Sequence, residues 1–148
     1  MAIPSYFDTS ALVKLYVSEA HSIAARREAA QAGHLVFTPL QSLELHSAIR
    51  QLVGRGTLPT TALPLFENHF EADRRSRRVQ ETAVDLAAVF RRADQLTRQH
   101  TERLLCRTLD VLHVATAVEL NCLRFVSADD RQLSLANAVG LTIIDIKR

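Results

Sequence analysis

Four acidic residues, Asp8, Glu44, Asp110 and Asp129, each stand beside a segment that reads as the end of a strand or the start of a helix. Asp8 closes the apolar pair Tyr6-Phe7 and precedes Thr9-Ser10-Ala11-Leu12-Val13, so a buried strand hands over to a helix at a carboxylate. Asp129 repeats that layout after Arg124-Phe125-Val126-Ser127. Carboxylates gathered at the carboxyl ends of parallel strands supply the hard oxygen donors that a divalent cation takes. Two carboxylates about 4 Å apart repel by roughly 4 kcal/mol at an effective dielectric of about 20, so several sharing one pocket need a cation or raised pKa values. Metal-assisted catalysis is the first chemistry to expect. Singly, an acid at a helix start also serves as a capping or first-turn charge, and Glu44 and Asp110 admit that reading as well.

The elements that must position these acids alternate in type. Residues 5–7 read as a first strand, with Pro4 at its entrance, and Ser10 as the N-cap of a helix running to Val17. A second helix is expected over 23–31, stopped at Gly33, followed by the compact strand Leu35-Val36-Phe37. From Pro39 a long helix places Leu45, Ala48, Ile49 and Leu52 on one stripe until Gly54 and Gly56. Pro59 opens a helical stretch with Leu63, Leu65, Phe66 and Phe70, giving a helical pair over about 40–73 that projects from the sheet. Val79 marks a weak strand, and Ala83, Leu86, Ala87 and Phe90 show helical spacing. A helix over 109–120, a strand over 124–127, a short helix over 133–139 ending at Gly140 and a strand over 141–146 complete the chain. This alternation predicts an α/β fold whose parallel sheet is covered on both faces.

At 148 residues the chain fits one domain, spanning 1–148, and its 47% apolar and 23% charged content matches a packed globular protein. Lys14, Glu19, Glu44 and Arg50 interrupt the richest apolar stretches before the roughly 20 residues that span a bilayer. The start, Met1-Ala2-Ile3-Pro4-Ser5, lacks the parts of a signal peptide, and a cytoplasmic location is the expectation. Cys106 and Cys122 lack the spacing of a zinc or redox pair and read as core residues. A net charge of +2 permits a nucleic-acid partner without demonstrating one.

Four segments resemble the PIN-domain family, and within it the VapC toxins of bacterial toxin–antitoxin pairs. They are Phe7-Asp8-Thr9-Ser10-Ala11-Leu12-Val13-Lys14-Leu15, Ser42-Leu43-Glu44-Leu45, Leu109-Asp110-Val111-Leu112-His113-Val114-Ala115-Thr116-Ala117 and Phe125-Val126-Ser127-Ala128-Asp129, nearly end to end in the chain. The first and third are the specific ones. The resemblance implies a three-layer α/β/α fold with a central parallel sheet of four or five strands. It implies Mg²⁺ or Mn²⁺ held by Asp8, Glu44, Asp110 and Asp129, and endonucleolytic cleavage of RNA. It implies a homodimer inhibited by a cognate antitoxin. Asp129 matches the family's more variable fourth acid, with Asp130 as its competitor, and Ser127 stands where the family usually has threonine. Thr9 and Ser10 are expected to orient the first acid or a metal-bound water.

Other residues admit two readings. His113, three residues past Asp110, reads as a base or as a hydrogen-bonded core histidine. Lys14 reads as a phosphate contact or as an ordinary surface lysine. The run 74–78, with Arg74, Arg75, Arg77 and Arg78, reads as a backbone-tracking patch or as a solvated turn, and it lacks interleaved aromatics. A haloacid-dehalogenase-type phosphotransferase would want a second Asp where Ser10 stands. A receiver domain would want a late-strand lysine, whereas Lys147 is one residue from the end. A catalytically idle binding module of an antitoxin complex is the remaining alternative.

Overall fold

Three- and four-residue strands form where apolar runs are cut short, and β1 (Ser5–Phe7) and β2 (Leu35–Phe37) each hand over within two residues to a helix, at Thr9 and Pro39. The computed structural model describes residues 3–148; Met1 and Ala2, which the expected domain span and the reading of the chain's start include, lie outside the described residues. The elements run β1 (Ser5–Phe7), α1 (Thr9–Tyr16), α2 (Ser22–Ala32), β2 (Leu35–Phe37), α3 (Pro39–Gly54), α4 (Ala62–Arg75), β3 (Val79–Glu81), α5 (Leu86–Leu104), α6 (Thr108–Glu119), β4 (Arg124–Ser127), α7 (Asp130–Ala138) and β5 (Thr142–Asp145).

All pairings are parallel. β4 lies between β1 and β5, with Tyr6 beside Phe125 and Phe125 beside Ile143, while β2 pairs with β3, Leu35 beside Val79. The five expected strands are thus hydrogen-bonded as a three-stranded sheet and a separate two-stranded one. β2 runs alongside β1, but a side chain bridges the seam: the fully buried Gln41 donates from Nε2 to the Phe7 carbonyl at 2.7 Å. Its Oε1 accepts from Thr38 N at 2.9 Å, closing a capping box at the start of α3. The seam therefore ties the first turn of α3 to the end of β1, the edge at which Asp8 emerges.

Side chains alternate across a strand, and here the alternation divides two cores. Phe7 and Val126 join Leu12, Leu45, Ile49, Phe66 and Phe70 from α1, α3 and α4. Tyr6 and Phe125 join Val89, Leu96, Val111, Val114 and Leu135 from α5, α6 and α7. Helices cover both faces, which is the three-layer α/β/α arrangement. Fully burying a leucine such as Leu45 contributes about 1.5–3 kcal/mol relative to leaving it in water.

Several sequence expectations shift at element ends. Asp8, not Ser10, is the N-cap of α1, because its carboxylate reaches the Ala11 N–H at 3.0 Å while Ser10 already lies inside the helix. The last helix starts at Asp130 rather than 133, because Asp129 caps it. On α5 the stripe expected from Leu86 and Phe90 faces outward, 56% and 58% exposed, and the buried stripe is Val89, Ala93 and Leu96. Two outer apolar residues four apart mimic a core face, and only the packing of the helix selects the right one.

Candidate active site

The carboxyl ends of β1 and β4 meet the amino ends of α1, α6 and α7 around one cavity of about 520 Å³. It is lined by Asp8, Thr9, Ser10, Glu44, Arg107, Thr108, Leu109, Asp110, Asp129 and Gln132. All four acids singled out in the sequence therefore face one space, Asp8 and Asp110 among them.

Three of these carboxylates double as helix caps. Asp8 Oδ1 accepts from Ala11 N, Asp110 Oδ2 from Arg107 N at 2.9 Å, and Asp129 Oδ1 from Arg131 N and Gln132 N at 2.9 and 3.2 Å. The capping reading of Asp110 is thus true, and it coexists with a place on the cavity. Helix amino ends carry partial positive charge, which favours anions there.

Asp8 is almost wholly buried among hydroxyls. Ser10 Oγ lies 2.7 and 2.9 Å from its two oxygens, and Ser127 Oγ donates to Oδ2 at 2.8 Å. Burial pushes its carboxyl above the ordinary aspartate value, and the hydrogen bonds from Ser10 and Ser127 offset only part of that rise. Ser127 also accepts from Asp129 N at 2.8 Å, so one buried hydroxyl sets the spacing of two acids. Ser10 contacts the first acid as expected and Ser127 joins it from β4, a contact the sequence did not suggest, whereas Thr9 donates instead to Glu44 Oε1 at 2.8 Å. One step along α1 turns the Thr9 side chain toward α3, where Glu44 sits.

Glu44 is anchored from the core. His113 Nε2 bonds the same Oε1, and His113 Nδ1 lies 2.7 Å from the Tyr6 hydroxyl. Burial pushes Glu44 up, but the His113 and Thr9 hydrogen bonds outweigh it and hold the group below the usual glutamate value. His113 is the buried, hydrogen-bonded histidine of the duller reading, and the group it holds is a cavity acid. The signal for it was the spacing of three residues from Asp110; Tyr6 carried none beyond a hydroxyl in an apolar strand.

Asp129 and Asp130 face different ways. Asp129 lines the cavity, whereas Asp130 points to Lys147, whose Nζ lies 2.8 Å from Asp130 Oδ1 and 3.0 Å from Asp145 Oδ1 and the Ala128 carbonyl. Lys14 donates to Glu19 at 2.9 Å and does not line the cavity. The arginine run ends α4 and precedes β3, and Arg74, Arg75 and Arg78 pair with Glu71, Glu81 and Asp73, as a solvated stretch does. Cys106 and Cys122 are buried; burial lifts the Cys122 thiol to about 11, while burial, then Asp110 and Asp129, lift Cys106.

Three cavity residues escaped the sequence reading, Arg107, Thr108 and Gln132, and the first and last of them touch the acids. Arg107 precedes α6, with Nε 3.6 Å from Asp110 Oδ2 and Nη2 4.0 Å from Asp129 Oδ2. Gln132 donates from Nε2 to Asp110 Oδ1 at 3.2 Å, and its buried Oε1 has no protein partner. The signal for Arg107 and Gln132 was spacing: each stands three residues from a cavity acid, the separation of N-cap and third helical position.

A family model for the PIN domain matches residues 5–138. The chain belongs to the PIN-domain family. PIN domains are generally nucleases and typically use divalent metals, which suits a cavity built from carboxylates. No curated protein matches the chain. Among the described residues no three His, Cys, Asp or Glu side chains stand close enough together to form a ready-made metal cage. The donor set still fits a magnesium-like ion in kind. All its acids are hard oxygen donors, Mg²⁺ keeps several waters and takes only one or two carboxylates, and an unpaired buried oxygen of Gln132 adjoins Asp110. No helix among the described residues is long and apolar enough to cross a membrane.

Proposed function

We propose that this PIN domain is a metal-dependent endoribonuclease of the VapC type, the toxin of a toxin–antitoxin pair that acts in the cytoplasm. The observation that supports it is the convergence of Asp8, Glu44, Asp110 and Asp129, from four separate elements, on one cavity where, among the described residues, Arg107 is the sole lysine or arginine. Carboxylates so gathered carry a cost unless a cation shares the space.

Asp8 and Asp110 would hold the principal Mg²⁺ or Mn²⁺, with Asp129 completing its shell directly or through water. Bound there, such an ion would lower the pKa of a water and neutralise charge building on the phosphoryl oxygens. Ser10 and Ser127 fix the Asp8 oxygens in place, and Gln132 fixes Asp110. Glu44, kept anionic by Thr9 and His113, is suited to accept a hydrogen bond from the attacking water and orient it. The His113–Tyr6 pair stiffens that arrangement from behind.

Exposed Leu43 on α3 and Leu65 on α4 offer apolar surface to a second copy or to an antitoxin. The one observation that favours a catalytically idle binding module is the lack of a close three-acid cage among the described residues. RNA cleavage assayed with Mg²⁺ or Mn²⁺, with and without chelator, separates the two. Metal-dependent cleavage that disappears in Asp8→Asn and Asp110→Asn, with the circular dichroism spectrum retained, is the expected result. Unchanged turnover in either variant, or metal binding and cleavage both absent from the wild type, would sink the proposal.

A further inference from the structure

We propose that Arg107 is the residue that grips the RNA phosphate, and that its guanidinium waits between Asp110 and Asp129 until a divalent cation replaces it there. The proposal rests on the nuclease reading above and adds a role that reading leaves unfilled. An RNA backbone approaching four carboxylates is repelled, so the cavity needs a cation that faces the substrate rather than the protein.

Among the described residues Arg107 is the only lysine or arginine lining the cavity. Its backbone is pinned at the rim, since its N–H donates to Asp110 Oδ2 at 2.9 Å as part of the α6 cap. Its side chain is free by comparison, 69% exposed. The guanidinium stands 3.6 Å from Asp110 and 4.0 Å from Asp129, both beyond the roughly 2.7–2.9 Å of a charge-assisted hydrogen bond. Attraction holds it there, and its planar fork keeps its donors available. That fork matches a phosphate bidentately, which a lysine cannot do.

The nearby cations are differently placed. Lys147 is committed to Asp130 and Asp145, and Lys14 to Glu19. A divalent ion taking up the charge of Asp110 and Asp129 removes what holds the guanidinium, which is then free to swing onto a phosphate at the mouth. Metal and arginine thus compete for the same carboxylates, while metal and RNA cooperate.

This competition gives two readouts of opposite sign. On the full chain, calorimetry with Mn²⁺ alone should show Arg107→Gln binding the ion about three- to tenfold more tightly than wild type, because a like charge has gone. The same variant should bind a short single-stranded RNA, kept in Ca²⁺ to suppress cleavage, about tenfold or more weakly. Its log–log salt slope should fall by about one. Arg107→Lys should keep the wild-type Mn²⁺ affinity and lose part of the RNA affinity. A purely structural role would weaken both ligands together or leave both unchanged, and either result overturns the assignment of Arg107 alone. A wild-type chain that binds neither Mn²⁺ nor RNA overturns the nuclease reading and this assignment with it.

Discussion

Ser127→Ala isolates the hydroxyl on which the cavity's geometry turns. Ser127 is fully buried, donates to Asp8 Oδ2 at 2.8 Å and accepts from Asp129 N at 2.8 Å. A hydrogen bond to a charged group contributes about 1.5–3 kcal/mol and one between neutral groups about 0.5–1.5 kcal/mol. Ser10 still reaches Asp8 Oδ2 at 2.9 Å, and water can replace part of what the Asp129 N–H loses, so the sum is an upper bound. The expected loss is about 1–3 kcal/mol, a fall in Tm of roughly 3–12 °C for a chain of this size. The loss should depend on pH. Ser127 stabilises the ionised form of Asp8, so the variant's Asp8 titrates higher still than the burial-raised wild-type group. The penalty is therefore complete above the variant's Asp8 pKa and shrinks as pH falls through it, because a protonated Asp8 no longer needs the donor. Urea unfolding of both proteins, without metal, across a pH series measures this. A penalty below about 0.5 kcal/mol at neutral pH, or one that grows on acidification, would refute the reasoning.

Asp8→Asn should stabilise the metal-free protein at neutral pH, since burial raises the folded-state pKa of Asp8 and makes its ionisation costly. That gain should vanish below about pH 4, where the unfolded aspartate is protonated too, and equal urea midpoints at neutral pH would contradict it. Asp129→Asn should weaken Mn²⁺ binding by about tenfold, whereas Asp130→Asn, on the Lys147 side, should change it less than about twofold; calorimetry reversing that order would move the fourth acid. Glu28→Ala should cost about 3–5 kcal/mol in urea unfolding, because it leaves Arg124 buried without its carboxylate partner. A cost under about 1 kcal/mol would show that the Arg124–Glu28 pair is solvated.

Much of the chemistry was legible because it depends on residue type and local order. Asp8 and Asp129 each follow an apolar strand, a pattern that places a carboxylate at a sheet edge whatever the rest of the chain does. Gly33 and Gly140 mark where helices stop for the same local reason, both adopting positive φ. The α3 stripe was readable too, since Leu45 and Ile49 obey the period of a helix and are wholly buried. The outward Leu86 and Phe90 obey the same period, and nothing local distinguishes them.

The sequence by itself determined the order of strands and helices, the family, and which acids terminate which elements. Short-range sterics, capping and hydrophobic periodicity act within a few residues. The tertiary structure alone decided which groups those acids meet. Thr9 reaches Glu44 across 35 positions, His113 across 69, and Ser127 reaches Asp8 across 119. It also turned Asp129 inward and Asp130 toward Lys147, and set Arg107 between two carboxylates. Such contacts depend on how elements pack around the sheet, and packing is set by side chains far apart in the chain that no local spacing connects.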